Sequence, residues 1–123
     1  MVSLETEDRD LLVLRFVPPY EPGDEAAYLA ALEAIGEMPR DYLLLALFGG
    51  GPGLSQQGER AQALWFKRTR AQVEGHCRAM ALARPGATPR MTEVFGKLWR
   101  IPLTATDSEG EARAFLARFM PLS

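Results

Sequence analysis

The chain is poor in the residues that most reactions and most metal sites need. Among 123 residues there is one histidine, His76, and one cysteine, Cys77. A single cysteine forms no internal disulfide, which fits a reducing compartment. No cluster of His, Cys or acidic residues falls at a catalytic or metal-ligating spacing, so no catalytic residue, metal or cofactor is expected. No apolar run reaches the ~18 residues that span a bilayer. Residues 1–10 are acidic and lack the basic and apolar regions of a secretory signal, so cytoplasmic residence is expected. A basic excess is missing too. The net charge is −2 and the pI is about 5.4, which argues against nucleic-acid binding because counterion release needs a basic face.

What is present is a rhythm. Four times a short apolar run precedes a stretch with helical spacing: 11–17 before 24–35, 42–48 before 56–74, 78–84 before 89–99, and 103–106 before 109–119. At 47% apolar and 24% charged, the chain has the composition of one ordinary globular domain spanning 1–123. Strands alternating with helices predict an α/β fold in which helices pack on a single, mostly parallel sheet of four to five strands, in βαβαβαβα order.

Local signals place the elements. Asp24 is expected to cap the first helix, whose buried stripe is Tyr28, Ala31, Leu32 and Ile35, with Gly36 as its C-cap. The nearly continuous apolar run 42–48 reads as a central strand covered on both faces. In 78–84 the small Ala79, Ala81 and Ala83 share one face, where a helix could approach closely. Thr88-Pro89 opens a helix whose Met91, Val94, Phe95 and Leu98 recur at i, i+3, i+4, i+7, so it is expected to pack firmly. Ser108 and Glu111 have capping-box spacing before the last helix.

Charge divides along the chain. Residues 1–48 hold ten acidic groups against three arginines, a balance of −7, whereas 56–100 hold nine basic groups against three acidic, a balance of +6. Such a division suits an acidic partner or self-association, or else intermixes on folding into scattered surface pairs.

The strongest candidate site is the loop Gly49, Gly50, Gly51, Pro52, Gly53 that leads to Ser55. It follows a central strand and opens a helix, where α/β sheets bind ligands and backbone amides can cradle an anion. Neither the dinucleotide Gly-x-Gly-x-x-Gly spacing nor a Lys-Ser/Thr follows, and a plain strand-to-helix connection also explains the loop. Ser55 stands at a helix N-cap, with phosphorylation at that position as the alternative. It lacks the Gly-x-Ser-x-Gly elbow of a nucleophile. His76 and Cys77 adjoin on what reads as a strand, so they point to opposite faces, and Cys77 is expected to be buried and structural. Trp65 precedes the basic Lys67, Arg68 and Arg70, and Trp99 ends the third helix. These aromatics either pack in the core or line a pocket, with the cations at a solvated face or a contact surface.

The element order and several segments resemble the SpoIIAA-like group, relatives of the STAS domains of anti-sigma-factor antagonists and sulfate-transporter tails. The resemblance is carried by Leu11-Leu-Val-Leu-Arg-Phe-Val17, Ala63-Leu-Trp-Phe66, Cys77-Arg-Ala-Met-Ala-Leu82, Ile101-Pro-Leu-Thr-Ala-Thr-Asp107 and Glu111-Ala-Arg-Ala-Phe-Leu116. It implies a further antiparallel edge strand within 1–6, with Asp8-Arg9-Asp10 as its turn. It also implies a non-catalytic regulatory or protein-interaction module, acting through a protein partner or as a homodimer. Ser55 falls near the family's phosphorylated position, without the acidic residue that accompanies it there. The contact region expected on this reading is the loop 49–55 with Lys67, Arg68 and Arg70. A second reading is a pocket for a small apolar or amphipathic ligand such as a lipid, walled by Trp65, Phe95 and Trp99 beside the three alanines.

Overall fold

A computed structural model describes residues 1–122. The element order is β1 (Val2–Glu7), β2 (Leu11–Phe16), α1 (Asp24–Gly36), β3 (Tyr42–Phe48), α2 (Gln56–His76), β4 (Cys77–Ala83), α3 (Pro89–Leu98), β5 (Leu103–Thr106) and α4 (Glu109–Ala117). The five strands form one sheet in chain order, β1 to β5. The β1–β2 pair is antiparallel, and the β2–β3, β3–β4 and β4–β5 pairs are parallel.

The sheet is therefore mixed rather than mostly parallel, and the order begins ββ rather than βα. The reason is local. Asp8 and Arg9 both take positive φ, 48° and 70°, which turns the chain back on itself within three residues. The edge strand implied by the resemblance is thus present, with its turn at 8–10.

Each strand lies beside its chain neighbour, so successive crossovers of one hand place α1, α2 and α3 on the same side of the sheet. That side buries Leu12, Leu14, Tyr42, Leu44, Ala46 and Met80 against Tyr28, Leu32 and Ile35 of α1 and Trp65 and Val73 of α2. The opposite side buries Leu11, Val13, Leu43 and Leu45 with Ala79, Ala81 and Ala83 against Ala112 and Leu116 of α4. All of β3 from Tyr42 to Leu47 is buried, as expected of a strand covered on both faces. A register shift between Tyr42 and Leu43 leaves Arg78 without a partner on β3. Cys77 thereby faces α2, and the three alanines face α4.

The helix ends refine the sequence reading. Ser55 and Ser108 are N-caps, accepting from Gly58 N at 3.0 Å and Glu111 N at 3.1 Å. Asp24 is the first residue of α1, and the N-cap is Gly23. Its carboxylate instead accepts from Glu21 N at 2.8 Å. Gly36 ends α1 inside the helix rather than beyond it, because a Cβ there would lie 2.8 Å from Thr69 Cγ2 and 2.9 Å from Trp65 Nε1. Its missing side chain lets α1 and α2 touch.

The third helix departs most from expectation. None of its ten residues is buried. It is fastened to the sheet edge, where Thr92 Oγ1 accepts from Ala105 N at 3.0 Å and donates to Ala105 O at 3.3 Å. That tether holds α3 beside β5 and leaves its apolar stripe without a packed partner.

Candidate functional site

Between α2 and α3 lies a cavity of about 620 Å³, within the range of ~300–1,000 Å³ usual for ligand sites. Its floor is the α1–α3 side of the sheet: Leu14 and Phe16 of β2, Leu44, Ala46 and Phe48 of β3, and Met80 and Leu82 of β4. On one wall stands the face of α2 carrying Glu59, Gln62, Ala63, Phe66 and Lys67, which recur at helical spacing. The other wall is Phe95, Leu98 and Trp99 at the end of α3, and the loop 49–54 closes the carboxyl end of the strands. A Cβ on Gly50 would touch Pro85 at 3.3 Å, so the two strand-end loops meet beside Arg84.

The aromatic wall is ordered by edge contacts. Trp99 meets Phe66 with ring centroids 4.7 Å apart and Trp65 at 6.0 Å. Deeper in, Tyr28 donates to Gln62 Oε1 at 2.6 Å, and burial pushes its phenol up to about 12.

The glycines of the loop have separate causes. Gly49 and Gly51 admit Tyr20: a Cβ on Gly51 would lie 2.3 Å from Tyr20 Cζ, and one on Gly49 2.6 Å from Tyr20 Oη. Gly50 takes φ +78°, a conformation that favours glycine. Gly53 has neither constraint. Seating Tyr20 over the cavity end accounts for Gly49 and Gly51, and the positive φ accounts for Gly50, without a nucleotide.

Of the residues expected from sequence to form a site, Gly49, Gly50, Gly51, Gly53, Trp65, Lys67 and Trp99 do line this cavity. Ser55, Arg68 and Arg70 do not. Ser55 Oγ donates to Glu25 Oε2 at 2.7 Å while its backbone N–H donates to Glu25 Oε1 at 2.6 Å. These bonds hold the Glu25 carboxyl below its ordinary value. The position a phosphate would take at the start of α2 is occupied by this carboxylate. Arg68 is paired with Glu33 of α1, and Arg70 with Glu74 while its guanidinium lies 5.6 Å from the Phe66 ring centre. The basic run is therefore split, with Lys67 alone at the cavity.

Opposite charges of the two segments do meet, at Arg68–Glu33 and Arg78–Asp41. Two cations at the cavity, Lys67 and Arg84, have no ion pair among the described residues. The alanines expected beside the pocket lie on the other side of the sheet, sealed by α4. Met80 and Leu82 take their place, because the unpaired Arg78 sets the parity of β4.

His76 ends α2 and Cys77 begins β4. His76 Nδ1 lies 3.0 Å from Asp41 Oδ1. Cys77 is buried, and burial raises its thiol to about 12. The structural reading of the cysteine holds, although the pair does not share a strand. Among the described residues no group of three or more His, Cys, Asp or Glu is placed to hold a metal. Similarly, no described helix is long and apolar enough to cross a membrane.

The chain matches no protein-family model and no curated protein. Among solved structures, it aligns with the crystal structure of an uncharacterized protein from the DUF3478 family with a SpoIIAA-like fold, from Shewanella loihica PV-4. The TM-score is 0.61 at 16% identity, over 94% of this chain and 92% of that one. The fold is SpoIIAA-like. At that identity the likeness is one of architecture, a five-stranded sheet with four helices. Within this SpoIIAA-like fold the cavity walls come from α2, α3 and the carboxyl ends of three strands. Sequence reasoning missed Glu59 and Gln62, which could have been found by following the face of α2 that carries Ala63 and Phe66. It missed Arg84 because the strand order that sets β4 beside β3, with Leu47 opposite Ala83, brings that strand end to the loop.

Proposed function

We propose that this protein is a binding module whose cavity takes a small apolar or amphipathic molecule, with no chemistry of its own. The observation that carries this reading is α3. A helix with Met91, Val94, Phe95 and Leu98 on one face would normally bury them, yet none is buried. Phe95 and Leu98 instead face an apolar-floored cavity across from Phe66. A ligand there would complete the layer that the chain leaves open, and its burial would contribute roughly 25 cal/mol per Å² of apolar surface.

The test is native mass spectrometry of the protein as purified from cells, beside an Ala63→Trp variant. Ala63 is exposed and lines the cavity, so the indole fills the space without disturbing the core. A small molecule retained by the wild type and absent from the variant is the expected result. Bare wild-type protein that also takes up no added amphiphile would count against the reading.

A regulatory interaction module is the second reading, favoured by Leu64, which is 64% exposed on α2, and by Val94 at 48% and Leu98 at 40% on α3. Sedimentation would support it through a dimer that Leu64→Glu dissociates.

A further inference from the structure

Resting on the cavity reading above, we propose that the occupant is an anionic amphiphile, its head held at the carboxyl end of the strands by Arg84. The cavity is polarised along its length. Its floor and its Trp65, Phe66, Leu98 and Trp99 wall offer a tail apolar and aromatic surface, with Lys67 the one charged side chain beside them. Polar groups gather towards the loop 49–54, where Tyr20, Gln62, Glu59 and Arg84 line it.

Charge decides the sign of the head. Of the twelve arginines seven pair with a carboxylate, among them Arg68 with Glu33, Arg70 with Glu74 and Arg78 with Asp41, and of the other five only Arg84 lines the cavity. Arg84 and Lys67 line the cavity and pair with no carboxylate among the described residues. Against them stands Glu59, which also lines it, in the first turn of α2 where a negative charge is favoured by the helix dipole. The lining as a whole carries two cations against one anion; at the loop end Arg84 faces Glu59 one to one, and the unbonded loop N–H groups tip that end towards an anion.

Position favours Arg84 over Lys67 for the head. Arg84 directly follows β4 and precedes Pro85, which abuts Gly50. Its own N–H is fixed to Thr106 O at 3.0 Å, so the backbone that carries it is rigid. Beside it, among the described residues, the N–H groups of Gly50, Gly51, Gly53 and Leu54 make no hydrogen bond within the chain. A planar guanidinium with free amides alongside suits a carboxylate. Lys67 lies eight residues further along α2, about 12 Å from Glu59 along the axis, where it flanks the tail.

Dodecanoate, 1-dodecanol and dodecylammonium share one tail and differ in head charge. Each is titrated calorimetrically into protein stripped of lipid, at low ionic strength and below micelle formation. Dodecanoate is expected to bind about tenfold tighter than the alcohol, with the margin shrinking as salt is added. Arg84→Gln should erase most of that margin and leave the alcohol's affinity within about twofold, while Glu59→Gln should widen it. Equal affinities in the wild type, or a margin untouched by Arg84→Gln, would overturn the head assignment with the cavity reading intact. Preference for dodecylammonium would overturn it in favour of Glu59. Binding of none of the three would overturn the cavity reading itself.

Discussion

The carboxylate of Glu25 on α1 accepts two hydrogen bonds from Ser55 at the start of α2, one from the hydroxyl at 2.7 Å and one from the backbone N–H at 2.6 Å. Gly58 makes room for it, since a Cβ there would fall 2.6 Å from the Glu25 carboxyl carbon. The anion that a helix N-terminus attracts is here supplied by the chain. The same contact fixes the far end of the glycine loop, whose near end is held by the Gly49 N–H on Phe16 O at 3.0 Å.

Because Ser55 holds the Glu25 carboxyl below its ordinary value, folding favours the deprotonated form. Its contribution is full above the ordinary glutamate range, about pH 4.3, and is lost as pH falls through the lowered value. Glu25→Gln should melt below the wild type at pH 7, and the gap should narrow as pH falls below the ordinary glutamate range. An unchanged gap across that interval would show that the charge is not what matters.

Gly36 and Gly53 are predicted to differ sharply. Gly36→Ala drives a methyl against Thr69 and Trp65 and should cost about 1–3 kcal/mol in urea unfolding. Gly53→Ala meets nothing within 4 Å and should fall within about 0.5 kcal/mol of the wild type.

The Cys77 thiol, buried and raised to about 12, should be inert to iodoacetamide in the folded protein at pH 8. Alkylation followed by mass spectrometry across a urea series should track global unfolding. Rapid labelling without denaturant would mean that β4 opens locally.

Thr92 is the tether of α3. Thr92→Val removes both hydrogen bonds to Ala105, leaves the outward N–H and C=O of an edge strand uncovered, and should cost about 1–2 kcal/mol. Hydrogen exchange should quicken in α3 and β5 well before β3. Unchanged exchange in α3 would indicate that it is held by its packing instead.

Much of the fold was legible because it rests on short-range signals. The runs 42–48 and 103–106 match β3 and β5, and Ser55 and Ser108 cap the helices they were expected to cap. The antiparallel hairpin came only through resemblance, since its turn uses Asp8 and Arg9 at positive φ rather than an Asn-Gly or Asp-Gly pair. The cavity was half legible. Trp65, Phe95 and Trp99 do wall it, but the alanines do not, because one unpaired residue at Arg78 changes which face β4 shows to α2. Periodicity identified the apolar stripe of α3 correctly and could not say that nothing in the chain would cover it. Nor could it separate Lys67 from Arg68 and Arg70, whose partners Glu33 and Glu74 are chosen by how the chain packs.

The strand order has a consequence during synthesis. Strands that pair in chain order can be added one at a time as the polypeptide emerges, each with its crossover helix laid on the same side. The reverse side, with Leu43, Leu45 and the three alanines, gains its α4 cover only once Glu109–Ala117 has emerged. Until then the nascent sheet presents a smooth, wet apolar surface, so a ribosome stalled after β5 would leave a product prone to aggregate.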